Sequence, residues 1–362
     1  MTRDALRSAL ELMQQSARVM RAFTPGGFLC DWQELDNKVE SFRLFQYADR
    51  ELKLSADHAS AQQFLARVPA GDPFHSIWVY EGAAHMAALA SSLSTEGLLT
   101  TGEAGNLPES TMVALHAGMG TAFAERLLEG LSSHPSAADV ERTVGRYVDI
   151  CTANCRPGWE DASLEPLGLV VRCLYPHLKS AVSTAADTIR PGMRSLFWHG
   201  VGRGSYFLPA NFLPYTGARR NMIVAAMAET NHFEDRRNVL AGLVWAIALV
   251  NLRYPQAIRS TAAVCSELKL HDEFVNGLTS ALISWGHMAP SDTEYIEVYT
   301  RPRHESGSDG LFWSHWIMTP ARHAIDQLLP GLIRRNHVPL LFSYRTPEEL
   351  RHLSADLHES AA

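Results

Sequence analysis

Residues 74–93 read FHSIWVYEGAAHMAALASSL, and residues 111–128 read TMVALHAGMGTAFAERLL. Both runs are long, largely apolar and free of proline, which predicts two buried helices. Each carries small residues at close intervals, Gly82, Ala83, Ala84 and Ala87 in the first and Ala117, Gly118, Gly120 and Ala122 in the second. A position without a bulky side chain lets a neighbouring backbone come near, so these helices are expected to pack tightly in the interior. Glu81, His85 and His116 are polar exceptions in that setting, and a buried polar group needs a partner.

Working outward, residues 2–23 predict an amphipathic helix, 55–68 a second, and 92–109, rich in Ser, Thr and Gly, a surface loop. Residues 137–152 predict a polar helix, and 151–166, with Pro157, Gly158 and Pro166, an ordered loop crossing a surface or cleft. Further helices are expected at 218–230, 239–254, 260–270, 271–285 and 320–335, with a helical tail from Pro347. EYIEVYTRPRHE, at 294–305, alternates enough for a short strand or an extended arm. The expected architecture is all-α or nearly so, a compact multi-helix bundle. Its parts are an N-terminal helical segment (1–73), a first helical half (74–190), a second (191–290) and a C-terminal extension (291–362), together one body.

The two halves are expected from a repeated pattern. Placing Gly82 on Gly200 sets Glu81 opposite His199 and His85 opposite Arg203, and Gly118 then falls near Gly242, at offsets of 118 and 124 residues. Any two buried helices rich in small residues would also resemble each other.

Composition excludes several classes. With 32 basic and 39 acidic residues, a net charge of −7, the chain offers no electrostatic footprint for nucleic acid. The longest apolar run, Val239 to Leu252, is short for a membrane span, and the mixed-charge N-terminal stretch lacks the apolar core of an export signal. Five unevenly spread cysteines suit a reducing cytoplasm. A homodimer is compatible with the apolar content, though no residue fixes it.

The candidate chemistry lies in the polar residues embedded in small-residue helices. Glu81, His116 and His199 are candidates for proton transfer, and Arg203, always charged, demands an anion such as Glu81, Glu160 or a ligand carboxylate. Trp78, Tyr80, Trp159, Glu160, Trp198 and Tyr206 are candidates to line a pocket for an apolar or aromatic metabolite. Glu81/His85 and Glu229/His232 have spacings that put both side chains on one helix face, and these four are the candidate ligands should a metal be bound. No cofactor is specified. GVGRG at 200–204 and HAGMG at 116–120 lack the preceding strand and the spacing of a dinucleotide loop.

The order Tyr80-Glu81-Gly82-Ala83-Ala84, His116-Ala117-Gly118-Met119-Gly120, Gly158-Trp159-Glu160 and His199-Gly200-Val201-Gly202-Arg203 resembles a poorly characterised bacterial family. Its members are often encoded in gene clusters for enediyne and related polyketide natural products. The likeness spans about residues 70–260, and Arg156–Asp161 stands where such members carry a second glycine- and histidine-rich loop. What the resemblance implies is a role in making, tailoring or sequestering a specialised, polyketide-like metabolite. Three kinds of protein fit the residues and the resemblance together: an acid–base enzyme with an apolar cleft, a binding or self-resistance protein using the same pocket, and a Glu/His metal-dependent oxidoreductase.

Overall fold

A computed structural model describes residues 12–17, 19–20, 29–47, 72–302 and 307–355. The expected helix over 55–68 and most of that over 2–23 lie outside the described residues; 12–17 and 19–20 are helical. Helix α1 spans Leu29–Phe45. The two decisive runs form α2 (Pro73–Ala90) and α3 (Met112–Glu129). Then come α4 (Ala137–Asn154), α5 (Glu160–Leu164), α6 (Pro166–Leu174), α7 (Lys179–Ile189) and α8 (Met193–Tyr206). The chain continues with α9 (Ala218–Met227), α10 (Phe233–Val250), α11 (Pro255–Glu267) and α12 (His271–Met288). A short α13 (Glu294–Thr300), a long α14 over 308–334 and α15 (Pro347–Ser354) complete the bundle. Among the described residues there is no strand.

The stretch expected as a strand or arm is therefore helical at Glu294–Thr300. Its alternation arises because Tyr299 turns inward, donating its hydroxyl to the Leu252 carbonyl at 2.7 Å, while Val298 stays exposed. Helix α14 contains two π-helical segments, Ser314–Met318 and His323–Leu328, both packed on α12, and the second also meets α15.

Local chemistry sets the helix starts. Asp72 caps α2 by accepting the Phe74 amide at 2.7 Å, and Pro73 follows at the first helical position, where a missing N–H costs nothing. Ser136 and Asp139 form a reciprocal capping box on α4. The 92–109 loop is less exposed than expected, with Leu98, Leu99 and Ala104 fully buried. Arg156 pins it by donating to the carbonyls of Gly105 (2.9 Å) and Leu107 (2.7 Å) and to Glu109 (2.8 Å).

The interior is a row of closely packed helices, α2 on α3, α3 on α6, α6 on α8, α8 on α10 and α10 on α12, with α1 laid over α2. Glycines make the close approaches. A Cβ on Gly118 would sit 1.9 Å from the Glu81 carbonyl oxygen, and one on Gly242 would sit 2.0 Å from that of His199. No side chain fits there without separating the helices. One continuous apolar cluster runs from Phe74 to Leu350 around this row. The outer helices α4 and α7 cover it with amphipathic faces.

Candidate functional site

Where α1, α2, α3, α6, α8 and α10 converge they leave a cavity of about 260 Å³. Its walls are predominantly apolar: Phe42 and Phe45 of α1, Trp78 of α2, Leu169 and Val170 of α6, and Trp245, Ala246 and Val250 of α10, with Phe207 just beyond α8. Polar atoms enter at a few points, from Glu81, Thr121, Glu125, Cys173 and Arg203. A concave, mostly apolar space with a few convergent polar groups is the ordinary form of a small-molecule site.

Behind and beside this cavity lies a buried charge cluster. Arg203 reaches Glu81 Oε1 at 3.4 Å with one nitrogen and Glu165 Oε2 at 3.2 Å with another. Glu165 is wholly buried, and its other oxygen is 3.0 Å from His199 Nδ1, so that the ring donates to the carboxylate. The Arg203 guanidinium also stands 5.9 Å from the centre of the Trp245 ring. Helix α5 runs into α6 at Glu165–Pro166, which brings this carboxylate onto α8, and Gly200 and Gly168 let the two helices close on it. Burial pushes the Glu81 carboxyl above its ordinary 4.5, and the Glu165 charge adds to that, while Arg203 pulls the other way. Glu81 is thus a desolvated carboxyl touching both an anchored cation and an open apolar space.

Nearer the α3 side, His85 Nε2 and Glu125 Oε2 are 2.9 Å apart, and the Phe45 ring lies against His85 at 5.1 Å. The Cys173 thiol faces the cavity and lies 3.5 Å from the Gly204 carbonyl, with its pKa pushed by burial up to about 11, so it stays protonated.

Of the four residues expected to act in chemistry, Glu81 and Arg203 line the cavity and His199 stands one residue behind, on Glu165. His116 is placed elsewhere. Its Nδ1 donates to the Met112 carbonyl at 2.7 Å, and its Nε2 accepts the Arg156 amide at 3.0 Å. Fully buried, it is held neutral, its pKa lowered to about 3 by desolvation. Both ring nitrogens are occupied by backbone, which leaves none for a substrate.

Of the expected pocket residues, Trp78 lines the cavity, and the other five do not. Trp159 is buried, stacked on His116 at 5.5 Å with His287 also 5.5 Å away. Trp198 donates its indole N–H to Ser183 at 3.0 Å, and the Tyr206 hydroxyl accepts from Asn251 at 2.8 Å. Glu160 accepts the Gly158 amide at 3.2 Å, and Tyr80 is half-buried beside the main core.

The four candidate metal ligands are not gathered. Glu81 turns to Arg203 and His85 to Glu125, while Glu229 is paired with Arg172 at 2.7 Å and with Lys179. His232 is exposed, 3.7 Å from Asp235. Glu229, in a stretch whose polarity suggests a solvated turn, in fact buries its carboxylate between two bases. Among the described residues no three His, Cys, Asp or Glu side chains converge as metal ligands. No described helix is long and apolar enough to cross a membrane.

Sequence reasoning missed Glu165 and Glu125, the carboxylates that hold His199 and His85. A signal for Glu125 was present: it follows His116 and Gly118 on the same small-residue helix, and His85 on the facing helix needed a partner. Glu165 lay inside a stretch with no periodicity to read. Comparison with protein-family models, with curated proteins and with solved structures finds no match for this chain.

Proposed function

We propose that the protein is an acid–base enzyme of specialised-metabolite biosynthesis, acting on an apolar, polyketide-like substrate in the helical cleft. The observation that carries this reading is Glu81, a carboxyl raised by burial, set beside Arg203 at the wall of an aromatic-lined cavity. A desolvated carboxylate is a stronger base than one in water, and an adjacent guanidinium can take up negative charge developing on the substrate. An apolar cavity of about 150 Å³ accommodates benzene. The 260 Å³ here suits a body of about two fused rings. Glu81 takes the proton, Arg203 faces the oxyanion, and Glu165 with His199 holds Arg203 in position.

The resemblance to proteins encoded in polyketide gene clusters supports the metabolic setting. The same reading includes an internal duplication of the helical core, supported by the glycine contacts. Gly118 closes on the Glu81 carbonyl and Gly242 on that of His199, while Gly82 closes on Phe45 and Gly200 on Glu165. The pairs are related by offsets of 118 to 124 residues and make Glu81 and His199 counterparts, both directed at the Arg203–Glu165 pair.

The test is elimination of 5-nitrobenzisoxazole, a bicyclic probe of carboxylate bases. The base removes the ring C–H proton, the N–O bond breaks, and a cyanophenolate leaves with the electron pair. Saturable turnover is expected, rising with pH through an apparent pKa above 4.5, and Glu81→Gln is expected to lower it about 100-fold or more. Turnover unchanged in that variant contradicts the assignment. One observation favours a second reading, a non-catalytic binding protein: Arg203 already has Glu81 as a partner at 3.4 Å. Saturable binding of naphthalene without any turnover of the probe would favour it.

A further inference from the structure

The charges around the cavity are unbalanced. Two carboxylates, Glu81 and Glu125, line it, and a third, Glu165, lies directly behind; one guanidinium, Arg203, stands among them. Three carboxylates stand against one guanidinium, with His85 on Glu125 and His199 on Glu165. None of the neighbouring bases lines the cavity: Lys38 of α1 lies 3.6 Å from Glu34, Arg172 of α6 pairs with Glu229, and Arg126 of α3 donates to the Ala88 and Ser91 carbonyls. The need of Arg203 for an anion, which made a ligand carboxylate plausible from sequence, is met twice within the protein.

The rest of the wall has the same preference. Five aromatic rings, Phe42, Phe45, Trp78, Phe207 and Trp245, border the cavity, and ring faces attract cations. Excess carboxylate in a low-dielectric, aromatic space is relieved by a cation carried on an apolar body. A bound anion would meet the opposite field.

Resting on the acid–base reading of the same cavity, we propose that its ligand is a hydrophobic amine, an ammonium group on an aromatic or polycyclic body. Glu125, held by His85, serves as its counter-ion, and Glu81 remains beside Arg203 as the base. Glu125 is a positioning residue for the ligand cation and was not among the residues singled out from sequence.

Calorimetry at pH 8.0 with three probes of one shape tests this: 2-naphthylmethylamine, 2-naphthylmethanol and 2-naphthoate. That pH lies above the ordinary histidine range, about 6.5. The amine is expected to bind at least about tenfold tighter than the alcohol, and the naphthoate more weakly than either. Glu125→Gln, at a partly exposed position, is expected to remove most of the amine's advantage over the alcohol. Equal binding of amine and alcohol, tightest binding of the naphthoate, or no binding of any probe at millimolar concentration overturns the proposal. The acid–base reading fails separately. Benzisoxazole turnover that depends on Glu81, with equal affinities for the three naphthalenes, overturns the amine preference alone. An amine preference with turnover indifferent to Glu81→Gln supports the amine ligand and removes the catalytic role.

Discussion

Two buried histidines sit on small-residue helices that both pack on α6, and they differ in what their nitrogens meet. His116 of α3 has both nitrogens bound to backbone and stacks on Trp159. His199 of α8 donates to Glu165, which also holds Arg203, which in turn meets Glu81 at the cavity wall. The first arrangement is closed: every polar atom of the ring is satisfied locally, and nothing faces open space. The second passes charge from the core to a cavity. A polar residue among glycines and alanines therefore signals tight packing around a satisfied group, and the chemistry depends on whether the chain of partners ends at backbone or at a void.

The contrast is broken most severely by removing the close approaches that frame both corners. Gly118→Ala and Gly242→Ala each drive a Cβ into a carbonyl oxygen, at 1.9 and 2.0 Å. Each is expected to cost roughly 3 kcal/mol or more, measured as a lower denaturation midpoint in urea. Next comes Arg203→Met, which leaves Glu81 and Glu165 facing each other without a cation. About 3–5 kcal/mol of destabilisation is expected at neutral pH, diminishing as the medium is acidified and the carboxyls protonate. A loss equal at pH 5 and pH 8 would mean that packing, rather than charge, accounts for it.

The His116 corner has its own pH signature. Desolvation lowers the folded pKa to about 3, while the unfolded ring titrates near 6.5. The unfolded state therefore binds the proton first. The stability that the neutral ring contributes is complete above 6.5 and declines toward pH 3, at about 1.4 kcal/mol per unit. His116→Gln is expected to remove that component of the acid sensitivity, seen by comparing urea midpoints at pH 5 and pH 7. A smaller effect separates the core from its cover. Gly145, on the outer face of α4, has only the Ile189 side chain near a new Cβ, at 4.0 Å, so Gly145→Ala is expected to stabilise by about 0.5–1 kcal/mol. Measured by thermal unfolding, it contrasts directly with Gly118→Ala.

The helical class was readable because the decisive signals are local: long apolar runs and small residues at close intervals. Where periodicity is short it misled, as at 294–300, where a single inward-facing Tyr299 gave a strand-like alternation to a helix. The site was legible in part. Glu81 and Arg203 stand out because a charge inside an apolar run must be compensated, and they compensate each other across 122 residues of chain. The aromatics expected as pocket walls mostly fill the core, since Trp159, Trp198 and Tyr206 carry only their own residue type and no sign of which way they turn. Phe42, Phe45 and Glu165 could not be placed because the contact that makes them matter is tertiary, α1 laid over α2 and α5 joined to α6.

Acid–base action in the cavity requires a Glu81 carboxyl that is desolvated and open to it. Carbon-detected NMR of protein labelled at glutamate carboxyls, titrated with and without naphthalene, measures it most directly. One resonance, absent in Glu81→Gln, is expected to titrate above 4.5, with a midpoint that rises further when naphthalene excludes water from the cavity. A Glu81 resonance titrating at or below 4.5 and indifferent to naphthalene would contradict it.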